Sequence, residues 1–574
     1  MKHWRIYLLL IIIFLVGGGV LARLFSLQIL QYDYYSVLAQ DQHQLHKTLF
    51  PERGEIFLQD LSLSRRNGDE VHYPLAINKE FQQVYLIPNK IIEQEKDEMV
   101  NKLSDLLDLN KEVILQRINK QDDPYEPLKH KVDQEIANNI KELSFNGLGS
   151  ASEIWRYYPN KILASHITGF VGITDEKRIG QYGLEEYYED ELKGQIGFLT
   201  GEKDTTGYGI PSFNQRLEPA KNGSELILTI DQNIQFKVEK ELIQIIKERE
   251  AESGSIIIME PSTGAILAMA NWPIFDPNEY NKEEDISVFL NSSIQKVYEP
   301  GSVFKPITMA IGIDSGKITP QTVYQDTGQV KIKGSVIKNV DGKAYGQQTM
   351  IEVLEKSLNT GAVFVQQEIG QDIFQEYIQR FNFNKPTKID LIGEVAGDIS
   401  NLFTGREINL ATISFGQGIT VTPIGLITAL GSIANKGKMM RPFLVKKIIH
   451  SDGTEVITKP EIIGEPISSE TAKELTKIMV SVTENGFGKS ARVNGYNIAG
   501  KTGTAQIPDS EKGGYSEEDT IHTFIGFAPA FNPQFIILIK IDKPQGIRFA
   551  SDSVGPVFKR LAEYLFNYLE IPPQ

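Results

Sequence analysis

The chain has 574 residues, 41 % of them hydrophobic and 23 % charged, with a formal net charge of −15 and no cysteine. This is a globular composition, and the length predicts about two to four domains. The acidic balance, with no Lys/Arg run, excludes a phosphate-backbone binder; the missing cysteines exclude disulfides, Cys-ligated metals, thiol catalysis and a lipoprotein lipid anchor.

Ile6 to Ala22 is a run of apolar residues and glycines, with Lys2, His3 and Arg5 before it and Arg23 after it. At about 1.5 Å per residue the run spans a hydrocarbon core, prolonged by Leu24, Phe25, Leu27, Ile29 and Leu30 while Arg23 snorkels. A cleaved signal peptide is the alternative. No A-x-A-like site follows and Arg23 is a poor flank, so a retained anchor over residues 6–30 is expected. The positive stub, residues 1–5, places the N-terminus in the cytoplasm and everything after Arg23 outside. No later segment is long and apolar enough for a second span.

Gln28 to Leu45 is polar, dotted with aromatic residues, and reads as a helical or coiled stalk. From Leu49 to Asn222 short apolar strands alternate with charged helical stretches, such as Ile91 to Leu107 and Lys111 to Asn119, and no catalytic cluster stands out. Composition changes at Asn222-Gly223. Leu226 to Ile230 predicts a strand, after which Asp231 caps a helix carrying Gln235, Val238, Leu242 and Ile245-Ile246. Gly254 to Met259 and Ala265 to Ala270 predict a hairpin turned by Pro261-Ser262-Thr263-Gly264. Helices are predicted over Thr308 to Ile313, Ile351 to Gln367 and Pro423 to Asn435. Strands follow at Tyr496 to Ala499, Thr523 to Phe527 and Phe535 to Ile541, then a helix from Pro556 to Tyr568. Strands at both ends of the block with helices between them predict one sheet flanked by helices, an α/β sandwich and not a doubly wound parallel sheet.

Three short motifs in this block can each form part of a serine acyl-transfer site. In Ser302-Val303-Phe304-Lys305, the breaker Glu299-Pro300-Gly301 launches a helix at Ser302, and Pro306 is tolerated in its first turn. Free N–H groups there favour developing negative charge, and Lys305 lies on the face of Ser302, where a desolvated neutral amine can take the hydroxyl proton. Ser293-Ile294-Gln295-Lys296 and Ser335-Val336-Ile337-Lys338 match the same pattern, but the second sits in a strand that sends its lysine to the other face. Ser357-Leu358-Asn359 sits in a helical stretch with Gly361 following, where a loop between helices could turn its hydroxyl, to relay a proton, and its amide, to hold a peptide, into a cleft; Ser144-Phe145-Asn146 and Ser212-Phe213-Asn214 are its decoys. Lys501-Thr502-Gly503 occurs once, among small residues that let an extended substrate lie against the strand. Lys501 and Thr502 would meet a carboxylate there, while the N–H of Thr504 with that of Ser302 would form an oxyanion hole. Taken singly, each motif is more simply a helix cap, a loop or a strand with a surface lysine; order, spacing and flanking breakers together argue for one site.

The trio is the signature of penicillin-recognising serine enzymes. With it stand Met259-Glu260-Pro261-Ser262-Thr263-Gly264, Phe275-Asp276-Pro277-Asn278, Phe415-Gly416-Gln417-Gly418, Val421-Thr422-Pro423 and Gly526-Phe527-Ala528-Pro529-Ala530. The block from Leu226 to Leu569 resembles the transpeptidase domain of class B penicillin-binding proteins, of either the division or the elongation type. Upstream, Arg53-Gly54-Glu55-Ile56, Tyr157-Tyr158-Pro159, Ala164-Ser165-His166 and Gly183-Leu184-Glu185 are similar to the pedestal of that class. Leu58 and Gln59 depart from the Asp-Arg pair usual after the first of these motifs.

The resemblance implies residues 31–222 as a non-catalytic pedestal of the dimerisation type, and residues 223–574 as a penicillin-binding/serine β-lactamase-like domain, an antiparallel sheet flanked by helices. It implies peptidoglycan cross-linking outside the cytoplasmic membrane. Ser302, activated by Lys305, would open the D-Ala-D-Ala bond of a stem peptide, and β-lactams would acylate the same serine. Ser357 would shuttle protons, Asn359 would position the peptide, and Lys501, Thr502, Gly503 and Thr504 would bind it. No metal or organic cofactor is expected, since the eight histidines show no ligand spacing. A membrane-embedded partner that polymerises glycan is implied. Alternatives on the same fold are a D,D-carboxypeptidase, a β-lactam-hydrolysing enzyme or a β-lactam sensor.

Overall fold

A computed structural model describes residues 4–31, 44–120, 122–174, 177–203, 209–210, 216–508 and 514–573. The chain forms two compact units, Met1–Arg53 with Lys193–Gly223, and Gly54–Leu192 with Ser224–Gln574.

In the first unit a helix runs over Trp4–Phe25 and continues as a π-helical turn over Ser26–Leu30. Its apolar side chains are exposed along its length, and the stretch Ile6–Leu30 is long and apolar enough to cross a membrane. The expected stalk falls mostly outside the described residues. Where it ends, at Gln44, the chain is extended rather than helical: Gln44–Leu49 pairs antiparallel with Gly197–Lys203, which also carries Arg216–Glu218.

In the second unit the predicted strand is Glu225–Asp231; it pairs in parallel with Ile56–Gln59 and antiparallel with Val445–Ile449. Gln59, one of the two residues departing from the family pattern, is buried and donates from Nε2 to Thr229 O at 2.5 Å across that pairing. Helix α1, Gln232–Arg249, starts where Asp231 accepts from the N–H groups of Asn233 and Ile234, both at 2.9 Å. An oxygen on the Ncap side chain satisfies donors that have no partner within the helix.

The five-stranded sheet of this unit is built from β1 (Ser253–Met259), β2 (Ile266–Trp272), β3 (Ala499–Pro508), β4 (Tyr515–Ala528) and β5 (Phe535–Asp542), in the order β2-β1-β5-β4-β3. All four pairings are antiparallel, so the expected sandwich is the one observed. Both faces are covered, which explains strands apolar at every position instead of at alternate ones. On one face Ile256, Ile258, Ile537 and Ile539 pack under α1 and α7 (Ala550–Tyr568), against Val238, Leu242, Phe558 and Leu561. On the other, Ile257, Met259, Ile536 and Leu538 share a core with α2 (Lys305–Asp314), α5 (Pro423–Ala434) and α6 (Ser469–Glu484). Each fully buried Ile or Leu contributes about 1.5–3 kcal/mol relative to exposure.

Three expected boundaries shift. Strand β3 begins at Ala499, because the Tyr496 ring instead stacks on Phe566 at 3.6 Å and its hydroxyl donates to Ile571 O. Helix α7 begins at Ala550 and carries Pro556 inside it. The expected helix Ile351 to Gln367 is two, α3 (Met350–Glu355) and α4 (Asn359–Ile369), parted at Ser357, whose φ of +54° no helix accommodates.

Candidate active site

Gly301–Phe304 forms a 3₁₀ turn that runs directly into α2, so Ser302 sits at the head of a helix and Lys305 in its first α-helical position. The turn is held from two sides. Gly301 has φ +59°, and its N–H donates to Gly416 O at 3.0 Å. A Cβ on Gly416 would lie 2.2 Å from Gly301 O, so only glycine permits this approach. On the other side a Cβ on Gly503 would lie 2.9 Å from Val303 Cγ1 and 3.2 Å from Pro300 O. The small residues of β3 therefore let the turn that carries Ser302 rest on the strand. Among the described residues strand β3 lies at the sheet edge, and one side of its main chain has no neighbouring strand.

The three motifs meet at Ser357. Lys305 Nζ donates to Ser357 O at 2.5 Å and to Ser357 Oγ at 3.2 Å. Lys501 Nζ donates to the same Oγ at 2.9 Å and to Thr502 O at 3.0 Å. The left-handed backbone at Ser357 aims its carbonyl and hydroxyl at the lysines together. That strain, about 1–3 kcal/mol, is held by the turn that ends α3, where Leu358 N donates to Val353 O at 2.9 Å.

Both lysines are almost wholly buried, at 1 % and 0 % exposure, with Ser302 at 9 %. Burial, and then the charge of Lys501, holds the Lys305 amine well below the ordinary lysine range. Burial pushes Lys501 down to about 7. The two titrate as a pair, with Lys501 the better site for the shared proton. A neutral Lys305 has two N–H donors, which Ser357 O and Oγ accept, and one lone pair left for a proton from Ser302. A charged Lys501 has three donors, two of them placed on Ser357 and Thr502 and one left for a carboxylate.

A prediction follows from the titration. As pH rises through about 7, Lys501 gives up its proton and with it the charge that would hold a carboxylate, while Lys305 stays neutral. The rate of acylation by a penicillin, followed by stopped flow, is expected to fall on the alkaline side of that value. A rate that stays constant from pH 6 to pH 9 would contradict a charged Lys501 as the partner of the carboxylate.

Ser302, Ser357, Thr502 and Thr504 line a cleft of about 200 Å3. Thr504 Oγ1 accepts from Ala550 N at 3.1 Å, tying the strand to the head of α7. Asn359 is placed less directly: it opens α4, and its Nδ2 donates to Lys338 O at 3.0 Å, which leaves Oδ1 as its free polar atom. The decoys go elsewhere. Ser293 is buried with its hydroxyl on Asn271 Oδ1 at 2.7 Å, and its Lys296 is exposed. Ser335 lies in the hairpin strand Ser335–Lys338 as expected, Ser144 is exposed in the pedestal region, and Ser212 to Asn214 lie outside the described residues.

Several cleft residues carry no motif signal: Asn339, Val340, Asp341, Lys356, Phe487, Phe549 and Ser551 also line it. The Asp341-Gly342 pair marks a turn, and Phe487 lies between two glycines, signals that place loops without saying what they surround. Gly486 has to be small, since a Cβ would lie 2.5 Å from Glu355 O just before the motif serine. Among the described residues no group of three His, Cys, Asp or Glu side chains is placed to hold a metal.

Residues 254–563 match the penicillin-binding protein transpeptidase domain, and residues 49–228 the penicillin-binding protein dimerisation domain. The chain is 31 % identical over 570 residues to stage V sporulation protein D of Bacillus subtilis, covering 98 % of this chain and 85 % of that one. It is 29 % identical over 575 residues to a Neisseria meningitidis protein named probable peptidoglycan D,D-transpeptidase PenA, covering 100 % and 94 %. Among solved structures, penicillin binding protein 2X from Streptococcus thermophilus has the same fold, with a TM-score of 0.74 at 22 % identity over 92 % of this chain and 81 % of that one.

Proposed function

We propose, from the premise that this chain belongs to the class B penicillin-binding proteins and is a peptidoglycan D,D-transpeptidase, that Ser302 is its nucleophile and Lys305 the base that activates it. Lys305 takes the hydroxyl proton as Ser302 Oγ attacks the carbonyl of a D-Ala-D-Ala bond. The C–N bond breaks, and the departing D-Ala nitrogen receives the proton by way of Ser357. An ester on Ser302 remains, and an amine of a neighbouring stem peptide displaces it to form the cross-link.

Lys501 and Thr502 bind the terminal carboxylate, Gly503 keeps the strand against the nucleophile's turn, and Asn359 Oδ1 accepts from the donor peptide. The N–H groups of Ser302 and Thr504 receive the developing oxyanion. A β-lactam is attacked in the same way, but its leaving nitrogen stays tethered in the opened ring. The observation that carries the reading is Ser357 bridging Lys305 and Lys501 beside a cleft that Ser302 lines.

The apolar N-terminal helix serves as the single membrane anchor of a bacterial cytoplasmic membrane, with the N-terminus inside and the catalytic domain outside. A membrane-embedded glycan polymerase is the partner that supplies strands to cross-link.

The test is to label the purified full chain in detergent with a fluorescent penicillin and map the modified peptide. The penicilloyl group is expected on Ser302. Finding it on Ser293 or Ser335 would remove Ser302 as the nucleophile.

A further inference from the structure

An acyl acceptor that is an alkyl amine arrives in neutral water as an ammonium ion. Behind Ser357 it would meet the charge that Lys501 carries when protonated, so something at the rim has to favour its approach. Among the described residues lining the cleft, Asp341 alone carries a carboxylate.

Its position is built, not incidental. Asp341 leads a turn in which Gly342 has φ +69° and donates its N–H to Asn339 O at 2.9 Å. The base of the turn is buried: Asn339 Nδ2 donates to both oxygens of Asp326, at 3.2 and 3.0 Å. Thr360 Oγ1 donates to the same carboxylate at 2.8 Å, which ties the turn to the first turn of α4, next to Asn359. The Asp341 carboxylate is then oriented by Tyr345, whose hydroxyl donates to Oδ2 at 2.5 Å, and by Lys343 N, which donates to Oδ1 at 3.1 Å. A carboxylate has about four acceptor sites, so two bonds fix it and leave capacity for a ligand. Lys356, on the same cleft, is turned away from this role, its Nζ donating to Gln348 Oε1 at 2.5 Å and Glu352 Oε1 at 3.3 Å.

We propose that Asp341 is a specificity-determining residue for the acyl acceptor, receiving the side-chain ammonium of a dibasic residue on the incoming stem peptide. The proposal rests on Ser302 being the acylated nucleophile. The docked ammonium releases one proton to solvent, and the free amine attacks the ester carbonyl. The bond from that carbon to Ser302 Oγ breaks, and the second N–H proton returns to Oγ through Lys305. Amide and free serine are the products, with no other reactant.

The experiment gives the full chain a D-alanyl thioester as donor and L-lysine amide or diaminopimelate as acceptor, and measures aminolysis against hydrolysis. Asp341→Asn is expected to raise the acceptor KM about fivefold and shift the acyl-enzyme towards hydrolysis, the scale of an exposed ion pair. Penicillin labelling of Ser302 should stay within twofold of the parent, and Asp341→Glu should recover part of the acceptor affinity. In the parent, added salt should raise the acceptor KM as the pair is screened. An acceptor KM that neither Asp341→Asn nor salt changes would overturn the proposal. If Asp341→Asn loses penicillin labelling, the parent's salt dependence decides alone. Labelling of the parent at a serine other than Ser302 would instead overturn the reading beneath it.

Discussion

Lys305→Met is expected to lower the rate of acylation by a penicillin roughly 10^3-fold or more while leaving the chain folded, because a positioned base contributes about 10^2–10^4-fold and a buried hydroxyl has few substitutes for it. Methionine is close to lysine in length and shape, and the site it would fill is already buried. The substitution removes the lone pair that the hydrogen-bond accounting leaves for Ser302, and with it the donors to Ser357 O and Oγ. Stopped-flow acylation with a thermal melt of the same sample separates chemistry from folding. A rate within tenfold of the parent would remove Lys305 from the role of base.

Gly416→Ala reaches the same chemistry from outside the three motifs that meet at Ser357. The new Cβ would lie 2.2 Å from Gly301 O and 2.6 Å from Gly301 N, both backbone atoms of the turn that carries Ser302, and Gly416 has φ +81°. Neither side can yield without moving Ser302, the proposed nucleophile. A displacement of about 1 Å is worth on the order of 10^2-fold in rate, and the left-handed backbone adds about 1–3 kcal/mol of strain. Gly418→Ala is the comparison: φ is +74°, but its nearest neighbour is the side-chain oxygen of Thr412 at 3.3 Å, so a smaller loss of rate is expected. Equal acylation rates for Gly416→Ala and the parent would mean that the turn is not held by that contact.

Residues that obey local rules were legible in the sequence. Asp231 before an apolar-periodic run gave the start of α1, and Pro261 to Gly264 between two apolar runs gave the β1–β2 hairpin. Ser302 was separable from Ser293 and Ser335 because a Pro-Gly breaker announces a helix start, whereas β-branched neighbours announce a strand.

What distant chain segments do to one another was not legible. A loop between helices at Ser357 was open to expectation from the nearby Gly361, but its left-handed turn was not; that turn persists because two lysines from elsewhere in the chain bond the serine it exposes. Tyr496 looked like a strand residue by its β propensity, but Phe566, seventy residues on, offers it a ring to stack on. Asp341 had no signal among the motifs, since its place on the cleft depends on Asp326 and Thr360.

The buried lysine pair also sets a limit on how robust the fold can become. In the unfolded chain a lysine holds its proton up to about 10.4, whereas Lys501 in the folded chain gives it up near 7. Between those values unfolding takes up protons, so the native state gains stability as pH rises through the window, on the order of a few kcal/mol, and at neutrality it still lacks most of that gain. Methionine or leucine at either position would pack the same space without that penalty. Selection for heat resistance alone would therefore erode this site early, and the lysines persist only while there is cell wall to join.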